Sequence, residues 1–252
     1  MPELVLAIDT TTDVTVGVAR GREVLAGERV TDRMAHVEQL MPLVHRTLAA
    51  SGASVRDVGQ VVVGLGPGPF TGLRVGIVTA QVLAHVAHVD LHGVCSLDVV
   101  ALAYARSSAG VVEGRPPSGR VPGALASGIQ AGGVGGRPPS GHSEFLVATD
   151  ARRKEVYWAR YAADGRRVGG PEVSSPDLVP RLPTVGPAAD LYADRLDAVP
   201  GPRTLDAGLL AAYGLDLPSA GTEPLYLRRP DAAEPTRRKS VLRLPPGQEI
   251  RR

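Results

Sequence analysis

The run Leu4-Val5-Leu6-Ala7-Ile8-Asp9 is echoed later in the chain by Phe145-Leu146-Val147-Ala148-Thr149-Asp150. Each copy is an apolar run of strand length that stops on an aspartate. Each is followed by a polar turn, a second strand-length segment (14–20, then 156–161) and a glycine turn, at Gly21 and Gly165. An internal repeat of one strand–turn–strand unit confines the chain to architectures built from two related lobes.

The first lobe reads in full. Residues 4–9 form a buried strand. Val14, Val16 and Val18 alternate with Thr15 and Gly17 as in a strand with one buried face, and 23–30 completes an antiparallel meander. A helix over 35–50 places Val37, Leu40, Met41, Val44 and Leu48 on one face, with Pro42 expected to kink it or loosen a turn. A strand at 60–63, a second helix ending near Val86, a strand at 92–95 and a third helix N-capped by Ser96 follow. This βββαβαβα order is that of the ribonuclease-H-like lobes of the actin, Hsp70 and sugar-kinase (ASKHA) superfamily. The fold class is therefore α/β, with a reduced second lobe whose helices are short stretches at 177–181, 188–196 and 205–213. The expected domains are 1–106 (N-terminal lobe), 107–142 (insertion), 143–230 (C-terminal lobe) and 231–252 (basic tail). The insertion holds ten Gly and five Pro and repeats Gly-Arg-Pro-Pro-Ser-Gly at 114–119 and 136–141, so it lacks the apolar content to order itself.

Between the second strand–helix pair lies Gly64-Leu65-Gly66-Pro67-Gly68-Pro69-Phe70-Thr71-Gly72-Leu73-Arg74-Val75-Gly76. A glycine-rich turn between strand and helix is how α/β proteins cradle phosphate. The chemistry of an ATPase loop is missing, because no Lys-Ser/Thr follows the last glycine, and the dinucleotide fingerprint is out of register. Glycines at 66, 68, 72 and 76 instead allow a backbone or helix to approach closely. The helix that follows is apolar on more than one face, so part of it is a candidate protein interface.

Other chemistries find little support. Asp9-Thr10-Thr11 and Asp150 stand where phosphotransferases of this fold hold metal and phosphate, but the following glycine is absent. They leave a weak nucleotide contact (Asp9, Thr10, Thr11, Asp150) or simple turn caps as alternatives. His85, His88 and His92 cross from helix to strand and share no face, so no metal site is expected. Thr71 reads as a helix cap rather than a nucleophile, and no Gly-x-Ser-x-Gly occurs. The single Cys95 lies in an apolar run and fits buried packing in a reducing compartment. The start of the chain does not read as a signal peptide, and no segment reads as apolar enough to span a membrane. The net charge of +2 conceals an Arg-rich tail after 228, read either as a solvated terminus or as a phosphate contact.

Taken together, these blocks resemble the TsaB (YeaZ) family. The resemblance is carried by Leu6-Ala7-Ile8-Asp9-Thr10, His36-x-x-x-Leu40-Met41-Pro42, Gly66-Pro67-Gly68-x-Phe70-Thr71-Gly72-Leu73-Arg74-x-Gly76, Ser96-Leu97, Asp150-Ala151-Arg152-x-x-Glu155-Val156-Tyr157 and Pro224-x-Tyr226-Leu227-Arg228. Pro69, where the family usually has Ser, and the insertion depart from the pattern. The resemblance implies a cytoplasmic, non-catalytic scaffold. It would pair through first-lobe helices with TsaD, the catalytic relative, and work with the ATPase TsaE. The complex would transfer threonylcarbamoyl from its adenylate to the tRNA adenosine next to the anticodon. On this reading the chain has no catalytic residues, protease activity or membrane contact. The resemblance assigns the chain no cofactor of its own, ATP being used by partner subunits, and leaves open both a nucleotide at the interface and homodimerisation of the free chain. The expected partner interface is His36, Leu40, Met41, Val44, Gly68, Phe70, Gly72, Leu73, Arg74 and Ile77. The alternative is an active small-molecule kinase using Asp9 and Asp150.

Overall fold

The computed structural model describes residues 3–31, 36–108 and 143–228. The insertion beyond Ser108, the side chains of His36 and Val37 and the tail beyond Arg228 lie outside the described residues. Strands β1 (Leu4–Asp9), β2 (Val14–Arg20) and β3 (Glu23–Val30) form the antiparallel meander. The chain continues through α1 (His36–Ala50), β4 (Val58–Gly64), α2 (Phe70–Ala87), β5 (Leu91–Val94) and α3 (Ser96–Ser108). The five strands are ordered β3-β2-β1-β4-β5, with β4 parallel to β1 and β5 parallel to β4.

Strand β1 is buried along its whole length, which is why it reads as an unbroken apolar run. Leu4, Leu6 and Ile8 point into the core beneath α1 and α2, where Leu40, Val44, Leu48, Leu73, Ile77 and Leu83 meet them. Val5 and Ala7 point to the opposite core. Each fully buried Leu or Ile contributes about 2 kcal/mol of burial free energy. Pro42 sits inside α1 on its exposed side, where water can serve the carbonyl left without a partner.

A second sheet, β8-β7-β6-β9, repeats the meander with β6 (Glu144–Asp150), β7 (Val156–Ala162) and β8 (Arg167–Ser174), plus the two-residue β9 (Thr184–Val185) parallel to β6. The short helices shrink further than expected. The 177–181 stretch is one 3-10 turn, Pro176–Leu178, and the next is α4 (Ala188–Leu191). The third, α5 (Ala207–Tyr213), packs on β1, β2 and β3 of the first sheet, so the end of the described chain returns to the N-terminal lobe. The two sheets share one core. Tyr104 of α3 meets Phe145 edge-on at 4.8 Å between ring centroids, and Phe145 stacks on Tyr161 at 5.6 Å.

By length and composition α2 is apolar enough to cross a membrane, with mean hydropathy 1.3 over its 18 residues, contrary to the reading from sequence. The reason lies in its packing: Leu73, Ile77, Ala80, Leu83 and Ala84 are buried on the sheet, and the valines of its other face add to the same average.

Candidate functional site

The glycine loop runs from Gly64 at the end of β4 to Phe70 at the start of α2, through a cis Gly66–Pro67 bond. What approaches its glycines is the chain's own β1 turn. A Cβ on Gly64 would stand 1.8 Å from Asp9 Oδ2, one on Gly68 3.1 Å from Thr11 Cα, and one on Gly76 2.2 Å from Thr10 Oγ1. Thr10 Oγ1 donates to Gly72 O at 2.8 Å, pinning the first turn of α2 to the end of β1.

Asp9 is 1% exposed. Its Oδ1 accepts from Thr11 N at 2.8 Å and Thr11 Oγ1 at 2.6 Å, and its Oδ2 accepts from Ser96 Oγ at 2.5 Å. Burial raises the carboxyl above the ordinary aspartate range, against the lowering effect of those hydrogen bonds. Ser96 Oγ also accepts from Gly66 N at 3.1 Å. Ser96 is thus the first residue of α3 rather than its cap, and its hydroxyl ties β1, the glycine loop and α3 together. Thr71 likewise makes no cap. The N-cap position is Pro69, with no side-chain bond, and Thr71 stands exposed in the first turn of α2.

Between the sheets lies an open cleft of about 690 Å³. Thr11, Thr12, Asp13, Thr71 and Gly72 line it from the first lobe, and Thr149, Asp150, Arg152 and Arg203 from the second. Asp150 accepts from Arg152 N at 3.0 Å and faces its guanidinium at 3.6 Å. Of the four residues expected to touch nucleotide, the cleft receives Thr11 and Asp150, while Thr10 is turned to α2 and Asp9 is sealed beneath. The kinase alternative therefore lacks an open first-lobe carboxylate at that position. Among the described residues, no three His, Cys, Asp or Glu side chains gather as metal ligands. His88 closes α2 in a left-handed conformation, and His92 Nε2 lies 3.2 Å from Leu217 O.

The expected interface residues divide by burial. Leu40, Val44, Gly68, Gly72, Leu73 and Ile77 are buried in the first lobe itself, so none of them can be a contact surface. Met41, Arg74 and, in part, Phe70 reach the surface. Arg74 is already engaged. Its guanidinium lies 4.0 Å over the Phe70 ring, and Nε donates to Tyr226 Oη at 2.9 Å. Tyr226 stacks on Phe70 at 4.9 Å. It belongs to a strap, residues 219–228, that crosses the glycine loop: Leu225 N donates to Leu65 O at 2.8 Å, and Arg228 Nη1 reaches Ala151 O at 2.9 Å. The Pro-x-Tyr-Leu-Arg motif is visible in sequence, but nothing local says what it crosses. The sequence marks part of the apolar helix α2 as a candidate interface without saying which side faces outward; on the outer face Val78, Val82 and Val86 are 55%, 55% and 60% exposed at successive helical turns.

Two α/β sheets, a filled glycine loop and an interlobe cleft define the YeaZ type of fold. A YeaZ structure from Pseudomonas aeruginosa superposes with a TM-score of 0.61 at 22% identity, covering 89% of this chain and all of that one. In sequence, an uncharacterized protein of Mycobacterium tuberculosis is 40% identical over 90% of this chain and 93% of its own length. The tRNA threonylcarbamoyladenosine biosynthesis protein TsaB of Escherichia coli is 31% identical over 71% of this chain and 63% of its own length. Residues 30–115 match the family model described as TsaD, tRNA N6-adenosine threonylcarbamoyltransferase. The chain belongs to the TsaB (YeaZ) family.

Proposed function

We propose that this chain is a cytoplasmic, non-catalytic subunit of tRNA threonylcarbamoyladenosine synthesis that pairs with a TsaD-type protein through the outer face of α1 and α2. The name of its E. coli relative supports the pathway. The observation that carries the pairing is the exposed valine stripe Val78, Val82 and Val86 on α2, with Met41 of α1 also 37% exposed. A contiguous apolar stripe on a helix that already buries its other face needs a further partner. The meander followed by parallel β4 and β5 supports a ribonuclease-H-like first lobe over 1–106, and the second meander with parallel β9 supports a reduced copy within 143–230 whose α5 packs back on the first sheet. The sealing of Asp9 supports a scaffold rather than a phosphotransferase. ATP then belongs to TsaE and TsaD, and the same valine face is available for homodimerisation when TsaD is absent.

The test is size-exclusion chromatography with light scattering of this chain mixed with TsaD from its own organism. A one-to-one complex that is lost in Val78→Glu/Val82→Glu, with the variant's melting temperature unchanged, is the expected result. Two proteins that elute separately, with TsaE, ATP and tRNA present, would overturn the reading.

A further inference from the structure

The strap, residues 219–228, has no helix or strand of its own. Contacts with other elements hold it in place. It starts on the first lobe, where Ala220 N donates to Gly93 O at 2.8 Å and Ser219 bridges Val94 of β5. Leu225 N then bonds Leu65 O of the glycine loop, and Tyr226 stacks on Phe70 and accepts from Arg74 at the start of α2. Two residues later the chain is on the second lobe. There Arg228 donates to Ala151 O, pairs with the Glu155 carboxylate and lies 6.0 Å from the centre of the Tyr157 ring.

These two anchorages belong to opposite walls of the interlobe cleft. Pro69, Thr71, Gly72 and Val75, around Phe70 and Arg74, line it from the first lobe. Asp150 and Arg152, on either side of Ala151, line it from the second. From Tyr226 to Arg228 the backbone spans at most about 7 Å when fully extended. The walls therefore cannot part at this end unless Tyr226 leaves α2 or Arg228 leaves the β6–β7 turn.

The floor of the cleft is joined differently. There Ser96, Leu97 and Val100 of α3 lie beside Thr149, and Leu97 and Val100 continue into the core shared by Tyr104, Phe145 and Tyr161. Domain closure turns about a few residues that stay packed, while contacts at the rim make and break. The strap has the character of such a rim contact. Tyr226 is 37% exposed and its bond to Arg74 lies in solvent, so little buried surface holds it down.

We infer that the strap is a buckle on the cleft. Fastened, it holds the two lobes closed; released at either end, it lets them turn about the α3 core. Release at the Tyr226 end also bares one face of the Phe70 ring and leaves Arg74 Nε without its acceptor, one turn before Val78. A partner that seats on Phe70 and Arg74 takes the place of Tyr226 and so unfastens the buckle. The buckle needs only this chain, and its coupling to the pairing helix alone rests on the reading above.

The experiment is single-molecule fluorescence energy transfer on the full chain. Dyes are placed on Gln81→Cys of α2 and Ala193→Cys just beyond α4, both exposed positions, with the buried Cys95 left in place. The chain with an unaltered strap is expected to give one narrow distance population. Tyr226→Ala and Arg228→Ala, at the two ends of the bridge, should each give a broader population whose mean is longer by about 5 Å or more. Tyr226→Phe, which keeps the stack and loses only the hydroxyl, should fall between Tyr226→Ala and the unaltered strap. Because the two alanine substitutions act at opposite ends, misfolding of one leaves the other to decide. A lowered melting temperature with an unchanged distance would make the strap a static brace and overturn the inference. A population already as broad with the strap unaltered would overturn it too, because the cleft would then open with the buckle fastened.

Discussion

Ser96 donates its hydroxyl hydrogen to Asp9 Oδ2 at 2.5 Å, so the start of α3 supports the end of β1 across the sheet. The Ser96 hydroxyl oxygen in turn accepts from Gly66 N, and Ser96→Ala would leave a buried carboxylate oxygen and a buried N–H unpaired together. A loss of about 2–4 kcal/mol is expected from that pair of groups, read as a shift in the urea midpoint. A loss below about 0.5 kcal/mol would mean that water replaces the hydroxyl.

Asp9→Asn separates the charge of this group from its hydrogen bonds. The native carboxyl is raised above 3.8 by burial, so the folded chain holds its proton more tightly than the unfolded chain does. Stability from this group is full below the unfolded value and falls as pH rises through the folded one. The difference in stability between Asp9→Asn and wild type should therefore shift in favour of Asn as pH rises from about 4, then level off. A difference that is flat between pH 4 and 8 would show that Asp9 titrates as it does in the unfolded chain.

Leu73 and Val82 lie on the same helix and should respond oppositely to Glu. Leu73 is fully buried against β1 and α1, so Leu73→Glu should cost more than about 4 kcal/mol and remove the fold along with any pairing. Val82 is 55% exposed, so Val82→Glu should alter the melting temperature little while disrupting the complex with TsaD. Thermal denaturation and co-elution measured on both variants decide the point. Equal unfolding in both would place Val82 in the core.

These two residues also show what the sequence could convey. Runs such as 4–9 and 145–150 were legible because a strand buried on both faces needs no partner to be recognised. The glycine loop was legible because Gly and Pro mark strand and helix ends locally. Helix α2 is ringed by apolar residues, so periodicity could not say which side meets the sheet. Leu73 and Ile77 were assigned to the surface that Val78, Val82 and Val86 occupy. The Ser96–Asp9 bond and the return of α5 to the first sheet are long-range contacts. Nothing in the local pattern at 96 or at 207–213 distinguishes them from an ordinary cap and an ordinary second-lobe helix.

Asp98 and Tyr161 join the lobes by a buried bond, Tyr161 Oη to Asp98 Oδ1 at 2.7 Å, with Arg167 Nε 3.6 Å from the same oxygen. Burial raises both groups, so the phenol stays protonated and remains the donor. Tyr161→Phe keeps the ring that stacks on Phe145 and removes only the donor. A destabilisation of about 1–3 kcal/mol is expected, with the dependence of stability on pH near the Asp98 titration altered. If Tyr161→Phe matches wild type at every pH, Arg167 alone satisfies the carboxylate.

Cys95 sits at the turn between β5 and α3 with no exposed surface, and burial pushes its thiol up to about 12. Only the thiolate attacks a disulfide reagent, and at pH 8 that form is scarce in the folded chain. The folded protein should therefore leave an aromatic disulfide probe unreacted at pH 8 over the time in which the urea-unfolded chain reacts fully. Because reaction requires opening of the α3 end of the core, its slow rate in the native chain should rise in Ser96→Ala, which loosens the neighbouring residue. A native rate equal to the unfolded one would mean that the β5–α3 junction is open in solution, and the bracing of Asp9 by Ser96 would then fail with it.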